Sequence, residues 1–245
     1  MVQERIHKCL ARAGVASRRS VEQLIREGAV RLNNKPLTEL GTLVDSEKDV
    51  VHVNGKRVAI SADMTSERVY FLLNKPANVL SSVKDDRDRL TVTKLIKGIG
   101  EARIFPVGRL DYDAEGALLL TNDGDLTHQL LHPKKHVPKT YMVKVKGEPS
   151  EENLDKLRRG IYLEDGPTGP SKIIVIKKAR VNTWVEVILT EGKNRQIKRM
   201  FWRIGNPVMK LVRTYFAGIG IQGLKPGEFR PLTKRELMYL REQSK

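Results

Sequence analysis

The stretch Gly108-Arg109-Leu110-Asp111-Tyr112-Asp113-Ala114-Glu115-Gly116, running directly into Ala117-Leu118-Leu119-Leu120-Thr121-Asn122-Asp123-Gly124, decides how this chain is read. An apolar run at 104–107 precedes it, so an acidic turn sits between two hydrophobic strands. Scaffolds commonly present reactive groups on such turns, at the ends of strands. Asp111 is therefore the candidate reactive carboxylate. The same residues also resemble the opening of an EF-hand, with Asp111, Asp113 and Glu115 as alternate ligands and Gly116 at the sixth position. The twelfth position, however, is Asn122, which cannot supply a bidentate carboxylate, and apolar residues 117–120 fill the remaining ligand positions. An Asp111 that only caps the turn is the simpler structural alternative.

Downstream, Lys139-Thr140-Tyr141 opens a strand in which Tyr141, Val143 and Val145 share one face and Lys144 and Lys146 the other. Further strands are predicted at 173–176 and 184–189, and helices at 151–159, 195–204 and 234–242. Upstream, a strand at 69–73 ends at a breaker, Asn74-Lys75-Pro76, and a polar loop of mixed charge covers 81–89. In the helix at 195–204, Ile197, Met200, Phe201 and Ile204 form an apolar stripe opposite Arg195, Lys198, Arg199 and Trp202. From 193 to 213 the charged residues are Lys193, Arg195, Lys198, Arg199, Arg203, Lys210 and Arg213, with no acid among them, whereas a merely solvated helix usually mixes signs. Elements of both kinds occur without a repeating βαβ rhythm, which indicates an α+β fold.

The first 60 residues read as a separate small module. Ile6, Leu10 and Ala13 recur at helical spacing before Gly14, and Ser17 caps a second helix with Val21, Leu24 and Ile25 on its buried face. Two short strands follow, turning at Asn33-Asn34 and Asn54-Gly55. Arg5, Lys8, Arg12, Arg18, Arg19 and Arg26 make the helix pair basic. Polar, non-periodic residues at 61–67 separate this module from the rest. The predicted division is a module at 1–62, a linker at 63–67 and a larger domain at 68–245.

The chain carries 45 Lys and Arg against 29 Asp and Glu, a formal net charge of +16 that favours a polyanionic partner. A single cysteine, Cys9, excludes a disulfide framework and a cysteine zinc site. No segment approaches the roughly 18 apolar residues of a membrane span, and a cytoplasmic protein is expected. His128, His132 and His136 are spaced by four, but Pro133 interrupts any helix that would align them on a metal.

Arg109-Leu110-Asp111, Lys139-Thr140-Tyr141 and Gln196-Ile197-Lys198-Arg199-Met200, followed by Gly205-Asn206-Pro207-Val208, resemble in order the motifs of the RsuA/RluB family of bacterial ribosomal RNA pseudouridine synthases. Residues 13–19, with Leu24, Ile25, Gly28 and Val30, are similar to the small RNA-binding domain of the ribosomal-protein S-four type. The resemblance covers nearly the whole chain. It departs at Ala114 and Ala117, where family members commonly have Thr and Leu. It implies an α+β chain, in which a small helical and hairpin RNA-binding module precedes a catalytic domain on a mixed, largely antiparallel sheet.

The resemblance also implies an activity, the isomerisation of uridine to pseudouridine in ribosomal RNA, with 23S RNA or a large-subunit assembly intermediate as the expected partner. Asp111 would do the chemistry, Tyr141 would stack on the target base, and Lys198 would pair with Asp111, with Arg195 as the alternative cation. A carboxylate in a desolvated pocket needs such a cation to stay ionised. Arg5, Lys8, Arg12, Arg18, Arg19, Arg109, Lys139, Lys193, Arg195, Arg199 and Arg203 are the expected RNA contacts. The reaction has no net oxidation and no energy input, so no cofactor or metal is expected, and the protein is expected to act as a monomer. Asp111 could attack the ribose, attack the ring or remove a ribose proton, and the sequence does not separate these routes. Three alternatives stand beside this reading. They are a 16S-directed enzyme, a non-catalytic RNA-binding assembly factor, and a metal-dependent nuclease using Asp111, Asp113 and Glu115.

Overall fold

The computed structural model describes residues 3–60, 68–99 and 102–243. The chain divides into two compact units, Met1–Glu67 and Arg68–Lys245. The linker expected at 63–67 lies outside the described residues.

In the first unit, helices Ile6–Arg12 and Arg18–Arg26 bury Ile6, Cys9, Leu10, Val21 and Ile25 against Val30, Val51 and Val53. Ser17 caps the second helix, its Oγ accepting the Ser20 N–H at 3.1 Å. Arg5, expected inside the first helix, is instead its N-cap, because Gln3–Arg5 pairs with Leu43–Asp45. Strands Val30–Leu32 and Val51–Val53 pair antiparallel, and each closes a hairpin at its expected turn. Asn33, Asn34, Asn54 and Gly55 all have positive φ, which two-residue hairpins of this hand require. The Cys9 thiol is pushed up to about 12 by burial and by its hydrogen bond to the Glu4 carboxylate, so it is a packing group rather than a nucleophile.

The second unit is built on one large sheet. Its strands run in the order Lys172–Ala179, Asn182–Leu189, Lys139–Lys146, Val208–Phe216, Glu115–Thr121, Tyr70–Lys75 and Phe229–Pro231. Along this path every neighbouring pair is antiparallel except Val208–Phe216 beside Glu115–Thr121, which is parallel. The continuous apolar run at 117–120 follows from burial on both faces. Leu118 and Leu120 pack with Val143, Val185 and the helices Glu151–Arg159 and Gln196–Arg203. Ala117 and Leu119 pack with Leu72 and the helices Gly124–Leu131 and Lys234–Gln243.

Three expectations need correction. Asn74 and Lys75 do not break the strand at 69–73, because the observed strand is Tyr70–Lys75 and both residues are buried within it. Polar side chains there are tolerated because each bonds internally, Asn74 Nδ2 to the Leu224 carbonyl at 2.8 Å and Lys75 as described below. The strand at 104–107 shrinks to Phe105–Pro106, which pairs with only Thr121 and Leu120. The sequence pattern predicts no strand at 208–216, where the central strand Val208–Phe216 lies, because Lys210 and Arg213 interrupt its alternation.

The parallel seam depends on Gly116. Its ladder consists of Val212 opposite Glu115 and Arg213 opposite Gly116. Gly116 has φ +110, and a Cβ there would lie 2.7 Å from the Arg213 nitrogen and closer still to its carbonyl oxygen. Gly116→Ala therefore meets both backbone strain and a collision with main chain. It is expected to lower stability by about 1–3 kcal/mol or more in denaturant titration; an unchanged midpoint would show that the two strands can part without loss.

Candidate active site

Asp111 lies on the loop between the Phe105–Pro106 and Glu115–Thr121 strands, and the backbone of this loop is held from four directions. Ser81 Oγ donates to the Leu110 carbonyl at 2.9 Å and accepts the Leu110 N–H at 3.1 Å. The Asn78 N–H donates to the Tyr112 carbonyl at 2.8 Å. A turn closes when the Ala114 N–H reaches the Asp111 carbonyl at 3.1 Å. From beneath, the Lys75 ammonium donates to the carbonyls of Ala114 at 2.7 Å, Pro76 at 2.9 Å and Tyr112 at 3.3 Å. Lys75 is fully buried, and desolvation draws its pKa down to about 8 although Asp113, Glu115 and Asp111 pull the other way. Ala114 and Ala117, where the related motif commonly has Thr and Leu, are fully buried and serve through their carbonyls, which accept from Lys75 and Arg213.

Facing this loop is the helix Gln196–Arg203, whose Lys198 Nζ lies 3.2 Å from Asp111 Oδ2 and 2.5 Å from Asp113 Oδ1. The hydrogen bond from Lys198 holds Asp113 below the usual carboxylate range, against the opposing effect of burial. Arg195, the alternative cation, caps this helix in a left-handed conformation with an exposed side chain. The buried Gln196 sets the approach to the helix, its Oε1 accepting the Lys193 N–H at 3.0 Å and its Nε2 donating to Glu191 at 2.5 Å. Glu191 in turn accepts the Gly169 N–H at 2.8 Å.

Between loop and helix opens a cleft of about 850 Å³, lined among others by Asp111, Tyr141, Lys139, Arg195 and Arg213. This volume is in the range of small-ligand sites. Tyr141 is half-buried on the strand Lys139–Lys146, directly across the ladder from Arg213. Lys139 points inward, its Nζ donating to the Val137 carbonyl at 2.9 Å, and burial followed by the charge of Arg213 brings it down to about 8.

The other expected RNA contacts separate into free and engaged groups. Arg5, Arg18, Arg19, Arg109 and Arg203 are exposed, and Lys8 is half-buried. Arg12 pairs with Glu4 at 2.6 Å, Arg199 with Asp165 at 2.8 Å and Glu164 at 3.2 Å, and Lys193 Nζ donates to the Asp165 carbonyl at 3.0 Å. His128 and His132 meet edge to face at 5.6 Å, and His136 ends the following 3-10 turn. Among the described residues no three His, Cys, Asp or Glu side chains converge as a metal site. Nor is any helix among them long and apolar enough to cross a membrane. Lys75, Ser81, Glu191 and Gln196 receive no site role from the sequence. The one signal for Lys75 was a charge at the end of an apolar run.

Residues 69–202 match the family model for RNA pseudouridylate synthase, and residues 4–51 match that for the S4 domain. The chain is 47% identical to ribosomal large subunit pseudouridine synthase B of Bacillus subtilis, over 97% of this chain and 96% of that protein. It is 33% identical to the protein of the same name from Yersinia pestis, over 98% of this chain and 76% of the other. A crystal structure of a pseudouridylate synthase superposes with a TM-score of 0.69 at 31% identity, covering 97% of this chain and 99% of that one.

Lys75→Met leaves the carbonyls beneath Asp111 without their charged donor. It is expected to cost about 2–4 kcal/mol of stability and to speed hydrogen exchange at the Leu110 and Ala114 amides. Exchange at wild-type rates would show that Ser81 and the turn suffice to hold the loop.

Proposed function

The chain belongs to the RNA pseudouridylate synthase family, and we propose that it isomerises one specific uridine of large-subunit (23S) ribosomal RNA to pseudouridine through Asp111. The observation that carries the assignment of Asp111 is its position on a loop braced through main-chain carbonyls, 3.2 Å from the Lys198 ammonium, in a cleft that also contains Tyr141. The large-subunit target is supported by the name of the 47% identical relative. In this reading the module at 1–62 and the domain at 68–245 both bind the RNA, and the protein acts as a cytoplasmic monomer.

Each side chain has a physical task. The target uridine must leave its stack at a cost of a few kcal/mol, which stacking on Tyr141, worth roughly 1–3 kcal/mol, and nearby cations offset. Lys198 pairs with the Asp111 carboxylate and orients its Oδ2. Asp111 is then available to attack the ribose, attack the ring or remove a ribose proton. When the base rejoins the sugar through carbon, the Tyr141 hydroxyl assists proton transfer at the ring. Arg5, Lys8, Arg18, Arg19, Arg109, Arg195 and Arg203 hold the RNA backbone. Arg12, Lys193 and Arg199 add positive potential while bonded within the protein.

The nuclease alternative is disfavoured by the fate of its three carboxylates. Asp111 and Asp113 face Lys198, and Glu115 pairs with Lys210 at 3.0 Å, so each would have to exchange an ammonium for the metal. A non-catalytic assembly factor has no need for the braced Asp111 loop.

The test is carbodiimide mapping of ribosomal RNA transcripts and precursors incubated with wild-type protein or Asp111→Asn, without added metal. A single new stop with wild type only is expected, the variant losing about 10³-fold or more in rate. Absence of a stop on every RNA tried would favour the assembly-factor reading. Tyr141→Phe is expected to bind RNA normally but turn over more slowly; a wild-type rate would remove the hydroxyl from the mechanism. RNA affinity is expected to fall as salt rises, in proportion to the phosphates contacted.

A further inference from the structure

Arg213 is 2% exposed, yet it lines the cleft as the register partner of Tyr141. Its Nε donates to the Ala117 carbonyl at 2.7 Å, while Nη2 is buried without a partner. The guanidinium carbon lies 4.9 Å from the centre of the Phe216 ring, and the Lys139 ammonium lies 5.9 Å from the same centre. Lys139 stands two residues before Tyr141 on one strand. Two cations thus share one aromatic ring beside the tyrosine. Among the described residues neither forms an ion pair; Glu191 lies near Lys139, its Oε1 accepting from the Gly169 N–H and from Gln196 Nε2.

A guanidinium removed from water and short of an acceptor is costly, and the cost is relieved only by a group that brings acceptors and negative charge. RNA offers phosphates and base carbonyls. A phosphodiester continues into chain on both sides and stays near the mouth of a cleft, whereas an everted base enters it alone. The depth of Arg213 therefore favours the base. Resting on the pseudouridine synthase reading above, we propose that Arg213 and Lys139 form a cationic floor that receives the carbonyl edge of the target uracil and stabilises its negative charge as the glycosidic bond breaks.

The charge arises by every route open to Asp111. When C1′–N1 breaks, the electron pair stays on the ring and spreads over N1, O2 and O4. When C5 bonds to C1′, the ring gives up the proton of C5 and N1 gains one, so composition is unchanged. Charge that exists mainly between these two events is where fixed cations accelerate a reaction rather than merely tighten binding. The lowered pKa of Lys139, caused first by burial and then by Arg213, accords with a cation held at a cost that a nearby anion relieves.

The experiment measures single-turnover pseudouridine formation at saturating RNA, RNA Kd and its salt dependence, and thermal melting for wild type, Lys139→Met, Lys139→Arg and Arg213→Lys. Lys139→Met is expected to lower the saturated rate about 10²-fold, as does loss of one oxyanion donor elsewhere, with Kd unchanged. Lys139→Arg is expected to keep most of the rate, and Arg213→Lys to lose part of it. A raised Kd with a shallower salt dependence and a wild-type saturated rate would mean phosphate binding and overturn the proposal. So would wild-type rates in both Lys139→Met and Arg213→Lys. If Arg213→Lys melts early through loss of the bond to Ala117, Lys139→Met decides alone. A wild-type protein that forms no pseudouridine overturns the underlying reading and this one with it, whereas an active wild type with unaffected variants overturns this one only.

Discussion

The close approach of two backbones at Gly116 and Arg213 is the constraint on which the second unit depends. One half of the sheet, with strands Tyr70–Lys75 and Glu115–Thr121, carries Asp111 and its brace. The other half, with strands Lys139–Lys146 and Val208–Phe216, carries Tyr141, Lys139 and Arg213. A parallel ladder of two residue pairs joins them, together with the bond from Arg213 Nε to the Ala117 carbonyl. Any side chain at position 116 would push the halves apart and separate the carboxylate from the groups facing it. Sheet geometry and site geometry therefore have the same origin.

Charge management is the second theme. The chain has a formal net charge of +16, and while Arg109 and Arg195 in the cleft lining are exposed, four other cations in or behind it are individually constrained. Lys198 is shared between two carboxylates, Lys75 is spent on carbonyls, and Lys139 and Arg213 are held against an aromatic ring. Exposed basic groups give long-range attraction and are weakened by salt, while buried ones act at short range and are screened much less. The molecule separates the two tasks by depth.

Much of this was legible in the chain because periodicity and turn chemistry are local. The capped helix after Ser17, the hairpins at Asn33-Asn34 and Asn54-Gly55, and the helix Glu151–Arg159 each follow from residues within a few positions of one another. What escaped was set by distant partners. Lys75 looked like a breaker because its acceptors at Tyr112 and Ala114 lie 37 and 39 residues away. The strand Val208–Phe216 was hidden by Lys210, which is exposed and pairs with Glu115, and by Arg213, which is buried and reaches the Ala117 carbonyl across the sheet. Tyr141 and Lys198 could be named from motifs, but the distance between Lys198 and Asp111 is a property of the fold.

The grip of Lys75 has a consequence for how such a protein can change. It holds Pro76, Tyr112 and Ala114 by carbonyl oxygens, a feature every residue possesses. The side chain of Tyr112, 43% exposed, takes no part in that grip. Substitutions on the outer surface of the loop can alter what approaches it without disturbing where Asp111 is held. A scaffold braced in this way can acquire new targets while inheriting its chemistry intact.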